Sequence, residues 1–159
     1  MISQAAEYAL RAVVCLAERP GAPLTTHHIA AAARVPAGYL AKVLQGLSRG
    51  RIVRSHRGVN GGHVLAADPG RITLLDVVRA VDPSLRIREC PLGIASHGTD
   101  LCPLHRRLDA AAAGVEAALS ATTIAELVAE PDRPLRDGCP AAASSPAVGA
   151  AFREGDGEP

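Results

Sequence analysis

RVPAGYLAKVLQGLSRGRIVRSHRGVNGGHVLA, residues 34–66, decides the fold. Leu40, Val43, Leu44 and Leu47 recur at steps of three and four, so 37–49 reads as a helix with one apolar face, and Gly50 as its stop. Its other face and first turn carry Gly38, Tyr39, Lys42 and Gln45. Two strand-like runs follow, 52–56 and 63–66, around a glycine-rich connector, which is the pattern of a hairpin. Upstream, Thr25 or Thr26 caps a short helix running to Ala33, and Arg34-Val35-Pro36 turns the chain into the next helix. Helix, turn, helix and hairpin in this order describe a winged helix-turn-helix.

Working outward, residues 3–18 place Ala6, Leu10, Val13, Val14 and Ala17 at helical spacing behind Ser3 as cap. Thr73 and Asp76 have the spacing of a capping box and open a helix to about Val81, closed by Asp82-Pro83. Residues 84–102 read as a loop. Pro103 then opens an alanine-rich helix to about Ser120, and Thr123 starts a short helix to Glu130. On the long helix Leu104, Leu108, Ala111, Ala112, Val115 and Leu119 form an apolar stripe that needs another surface to cover it. After Pro131 the chain is proline, alanine, serine, glycine and charge without periodicity, the composition of a disordered tail.

The net charge of +1 conceals an asymmetry. Residues 1–80 hold ten Arg or Lys against four Asp or Glu, and residues 81–159 hold seven against twelve. No acidic residue lies between Arg19 and Ala67, whereas Arg34, Lys42, Arg49, Arg51, Arg54 and Arg57 all do, so the first half suits a polyanion. Aromatic residues are 2% of the chain, which leaves Ala, Leu, Val and Ile to build the core. No apolar run is long enough for a membrane helix and the N-terminus lacks signal-peptide features, so the expected location is the cytoplasm without membrane association. Cys15, Cys90, Cys102 and Cys139 would stay reduced there. A special cysteine is then better read as a metal ligand or redox sensor than as half of a structural bridge. There is no phosphate loop, no paired carboxylate cluster and no Ser-His-Asp arrangement, so an enzyme is not expected.

A duplex major groove admits one helix, whose N-terminal part reaches base edges. Gly38, Tyr39, Lys42 and Gln45 suit that helix. Arg57, Gly58, Gly61, Gly62 and His63 make a slender basic wing of the kind that enters a minor groove. The competing readings are packing for Tyr39 and plain solvation for Lys42 and Gln45. A winged helix that binds protein instead of DNA is the rival function, and steep loss of binding with salt separates the two.

The start Glu7-Tyr8-Ala9-Leu10-Arg11, Tyr39-Leu40 onward, the wing RGVNGGHVLA at 57–66, TLLDVVRAVD at 73–82 and TTIAELV at 122–128 carry a family resemblance. Over about residues 1–130 the sequence resembles the bacterial winged-helix regulators that include the iron-sulfur cluster regulator IscR, the nitric oxide sensor NsrR and BadM. The resemblance implies a homodimer joined through the long helix, bound to a pseudo-palindromic operator in double-stranded DNA and usually repressing. The expected fold class is mainly α with a small β-hairpin wing: a winged helix-turn-helix over 1–82, a sensor loop over 83–102, a dimerisation helix and short C-terminal helix over 103–130, and a disordered tail over 131–159.

The family's sensors carry three cysteines in the loop region, and some add a histidine three residues after the last. Cys90, Cys102 and His105 match the first cysteine, the last cysteine and that histidine; the central cysteine is missing. The resemblance thus implies an iron-sulfur cluster, 2Fe-2S in type, with His97 or Glu7 of the partner subunit as candidates for the remaining position. A cluster-free regulator, with a thiol switch or no sensing role, is the alternative. Cys15 lies on an apolar helix face and reads as core.

Overall fold

The computed structural model describes residues 2–58, 61–83, 85–91 and 101–130. The tail expected over 131–159, with Cys139, and the candidate ligand His97 lie outside the described residues.

Helix α1 (Gln4–Ala17) is the hub, with Ser3 accepting the Ala6 N–H at 3.2 Å as its cap. Ala6, Ala9 and Ala12 are fully buried on it, and such small side chains let neighbours approach closely. It packs against α2 (Thr26–Ala33), α3 (Ala37–Arg49), α4 (Leu74–Val81) and α6 (Ile124–Ala129). Leu16, Ile29, Leu40, Leu47 and Ile124 fill the spaces between these helices, each contributing about 1.5–3 kcal/mol by leaving water. Cys15 belongs to this core.

Both helices of the helix-turn-helix end the same way. Arg34 (φ 53°) and Arg51 (φ 58°) take the left-handed conformation. The next amide then reaches back, Val35 N–H to the Ala30 carbonyl and Ile52 N–H to the Leu47 carbonyl, both at 2.9 Å. The left-handed residue of the α3 end is Arg51, and Gly50, with a φ of −73°, directly follows α3 as the stop its sequence position suggested. Glycine is needed there for closeness: a Cβ on Gly50 would lie 2.6 Å from Ala80 Cβ.

Strands β1 (Val53–His56) and β2 (Gly62–Leu65) pair antiparallel in register from Val53↔Leu65 to His56↔Gly62. A bridge between Leu24 and His63 adds a third contact on the open side of β2. A single 3-10 turn, Pro69–Arg71, absent from the sequence reading, leads to α4. Helices α4 and α6 both begin with complete capping boxes, Thr73 with Asp76 and Thr123 with Glu126. The two caps are joined: Leu74 N–H donates to the Thr122 carbonyl at 3.0 Å, and Ile124 N–H to the Ile72 carbonyl at 2.8 Å.

Helix α5 (Pro103–Ser120) contributes no buried residue and lies along α4. No helix among the described residues is long and apolar enough to cross a membrane.

Candidate DNA interface and metal centre

The apolar row of α3 packs on the core, which turns Gly38, Tyr39, Lys42 and Gln45 outward. A Cβ at Gly38 would meet nothing within 4 Å, so packing within the chain does not demand glycine there. Tyr39 is both surface and packing: it is 40% exposed, and its ring meets that of Tyr8 edge to face, with centroids 5.4 Å apart. Lys42 and Arg49 border a cleft of about 320 Å³ on the α1 and α4 side, floored by Val43, Gly46 and Val81. Gln45 and Ser48 border a notch of about 290 Å³ between α3 and the wing, shared with Thr26, Ser55 and His63. Ser48, Ser55 and Thr26 were not expected on this surface from sequence, where Thr26 entered only as a candidate helix cap, although Ser48 follows Gln45 at the three-residue step that places both on one helix face.

The wing glycines have separate reasons. Gly58 has a φ of +114° and open space around it, so it is there for the turn. A Cβ on Gly61 would come within 2.5 Å of the His56 carbonyl oxygen, and one on Gly62 within 2.6 Å of the Leu24 carbonyl oxygen, so these two permit close backbone contact. Arg57 is exposed at the start of the tip. His63 is half-buried and sits one pair down from the tip, with Nδ1 3.2 Å from Ser55 Oγ and Nε2 3.2 Å from Thr26 Oγ1. Burial pushes its pKa below the usual histidine range.

At the other end, Cys102 caps α5 and His105 lies on its first turn. The loop returns Cys90 to the same place. His105 Nδ1 is 3.2 Å from Cys102 Sγ and 3.6 Å from Cys90 Sγ, and all three donor atoms lie within 4.8 Å of one another. All three residues are partly buried. Glu7 is exposed on α1 and pairs with Arg11 of its own helix.

A clamp that the linear sequence did not suggest holds this loop to α5. Arg86 donates two hydrogen bonds to Asp109, from Nε and Nη2, each 2.6 Å, and the Ile87 N–H donates a third at 3.0 Å. Glu116 lies 3.6 Å from the Arg86 guanidinium and also accepts from Arg79 of α4 at 3.0 Å. The Arg86 side chain holds the Asp109 carboxyl at a pKa of about 2, and Asp109 in turn raises that of Arg86. The clamp brackets the sulfur site, Arg86 four residues before Cys90 and Asp109 four after His105.

Residues 2–130 match a family model described as Rrf2, iron-dependent transcriptional regulator. The chain is 36% identical over 128 residues to a Mycobacterium tuberculosis protein named as an HTH-type transcriptional regulator, an overlap of 79% of this chain and 80% of that one. With BadM of Rhodopseudomonas palustris, also named as an HTH-type transcriptional regulator, it is 31% identical over 120 residues, covering 75% and 77%. Among solved structures, CymR, the global cysteine regulator of B. subtilis, superposes with a TM-score of 0.64 at 27% identity over 83% of this chain and 98% of that one. IscR of T. potens shares the fold, with a TM-score of 0.65 at 24% identity over 80% and 85%.

Proposed function

The chain belongs to the Rrf2 family of transcriptional regulators, and on that premise we propose that it is a cytoplasmic homodimer that represses transcription from a pseudo-palindromic operator, its DNA affinity set by an iron-sulfur cluster. DNA binding and transcriptional regulation, without enzymatic activity, come with the family. The cluster and the dimer go further, and the observation that carries the cluster is the convergence of Cys90, Cys102 and His105.

The donor set fits the group. Two thiols and an imidazole are ligand types that two-iron clusters use, histidine replacing cysteine on one iron in some of them. The described residues offer three of four positions, and Glu7 of the partner subunit and His97 are the candidates for the fourth. When bound, the cluster would supply a one-electron couple sensitive to oxidants. The chain's own part is positional. The start of α5 fixes Cys102 and His105 relative to each other, and the Arg86–Asp109 clamp holds the loop so that Cys90 reaches them.

Dimerisation rests on α5. Leu104 is 61% exposed, Leu108 49% and Val115 41%, and with the exposed Ala111 they leave an uncovered seam that a second copy, related by twofold symmetry, would bury, whereas Ala112 and Leu119, expected in the same stripe, are half-buried in step with Asp109 and Glu116.

A second reading has its own support: the two sulfurs, within 4.8 Å, could lose two protons and two electrons to an oxidant and form a disulfide. One preparation separates the readings. Protein purified without oxygen should be coloured and contain equal iron and sulfide, while Cys90→Ala should be colourless and bind DNA with altered affinity. Iron-free protein after attempted reconstitution overturns the cluster, and an oxidant-dependent disulfide in that material establishes the switch.

A further inference from the structure

Two four-residue strands make a ribbon that is barely stable by itself, so something must fix the wing's angle against the recognition helix. One pair down from the wing's tip the main chains of Leu24 and His63 exchange hydrogen bonds, Leu24 N–H to the His63 carbonyl at 3.0 Å and His63 N–H to the Leu24 carbonyl at 2.8 Å. The missing side chain of Gly62 makes that approach possible. The imidazole completes the joint, reaching Ser55 on its own sheet and Thr26 at the start of α2.

We propose that His63 is a positioning residue for DNA binding: its imidazole pins the wing to α2 and so sets the distance between the wing tip and α3, instead of contacting DNA itself. The two ring nitrogens are occupied, one on each side of the notch, which leaves neither pointing at an outside ligand. In the neutral ring one nitrogen donates and the other accepts, and both hydroxyls rotate to suit. Burial favours that neutral form. Arg57 lies just past the end of β1, two residues beyond Ser55, so the pin fastens the wing close to its tip and any loosening there moves Arg57 directly. Ser48 and Gln45 face the same notch from α3, so the pin also preserves a polar gap of about 290 Å³ between the two DNA-facing elements.

The proposal rests on the reading that the wing enters a minor groove. The probe is a duplex selected by the wild-type full-length chain from a random-sequence pool. Affinity, hydroxyl-radical footprint and guanine-N7 methylation protection are measured for His63→Leu, Thr26→Val and the double variant. Each single change should weaken binding about tenfold and remove the flanking minor-groove protection while guanine protection in the major groove stays. The double variant should be no weaker than the worse single one, because both break one joint. His63→Gln, whose amide can still reach Thr26, should recover most of the affinity. Multiplying losses in the double variant, or unchanged flanking protection in Thr26→Val, overturn the proposal. Thr26→Val keeps the test open if His63→Leu does not fold, since it alters a partly exposed hydroxyl. A wild-type protein that shifts the duplex yet shows no flanking protection sinks the wing reading itself, a different result from either.

Discussion

Asp109 accepts three hydrogen bonds and stands beside an arginine that also faces Glu116. Its pKa of about 2 lies below the ordinary value of 3.8, so the ionised form is favoured by folding, and that contribution exists above the ordinary value and vanishes as pH falls through about 2. Asp109→Asn should accordingly be less stable than wild type at pH 7, and the difference should shrink between about pH 4 and pH 2. Denaturant titrations across that range check it; a constant difference would mean that the carboxylate charge is not what holds the loop. The residue scale is also where sequence reading was most uneven. Cys102 and His105 stand three residues apart at the start of a helix, a spacing that is local and puts both on one face. Cys90 came only through family resemblance. Arg86 and Asp109 are 23 residues apart, and no local periodicity announces such a pair.

Elements were more legible, because caps and apolar spacing are local physics. Thr73 and Asp76 form the capping box that their spacing implied, and α3 and α5 run as their patterns suggested. The wing's glycine count gave the hairpin, but not which glycines serve the turn and which serve close contact. Gly50 ends α3 where its position implied, but what makes glycine necessary there is a neighbouring helix brought in from 30 residues away. Gly46 shares that seat, where a Cβ would lie 3.0 Å from Val81 Cγ1. Gly50→Ala should therefore destabilise by about 1–3 kcal/mol through overpacking, although helix propensity alone favours alanine. Adding Ala80→Gly should restore part of the loss. Thermal unfolding decides, and a raised midpoint for Gly50→Ala would show that α3 and α4 are not in contact there.

At the scale of the molecule, the charge asymmetry and the uncovered face of α5 are the grounds for the proposed division between a DNA-facing half and an assembling half. Leu108→Glu would put a carboxylate in the middle of the proposed seam, where its burial costs several kcal/mol, on the order of 3 or more. Light scattering should then report one chain where wild type reports two. A mass still equal to two chains would relocate the interface. What the sequence could not disclose at this scale is how the halves interlock, since contacts between 72–74 and 122–124 depend on the path of everything between them.

That interlock bears on how the protein can be cut. A fragment ending near residue 82, the natural choice for isolating a DNA-binding module, would leave the Leu74 amide without the Thr122 carbonyl and would remove Ile124, which is fully buried in the same core as α1. The shortest severable unit therefore includes α6, and with it α5. Any transplant of the winged helix into another protein must carry along the helix that holds Cys102 and His105.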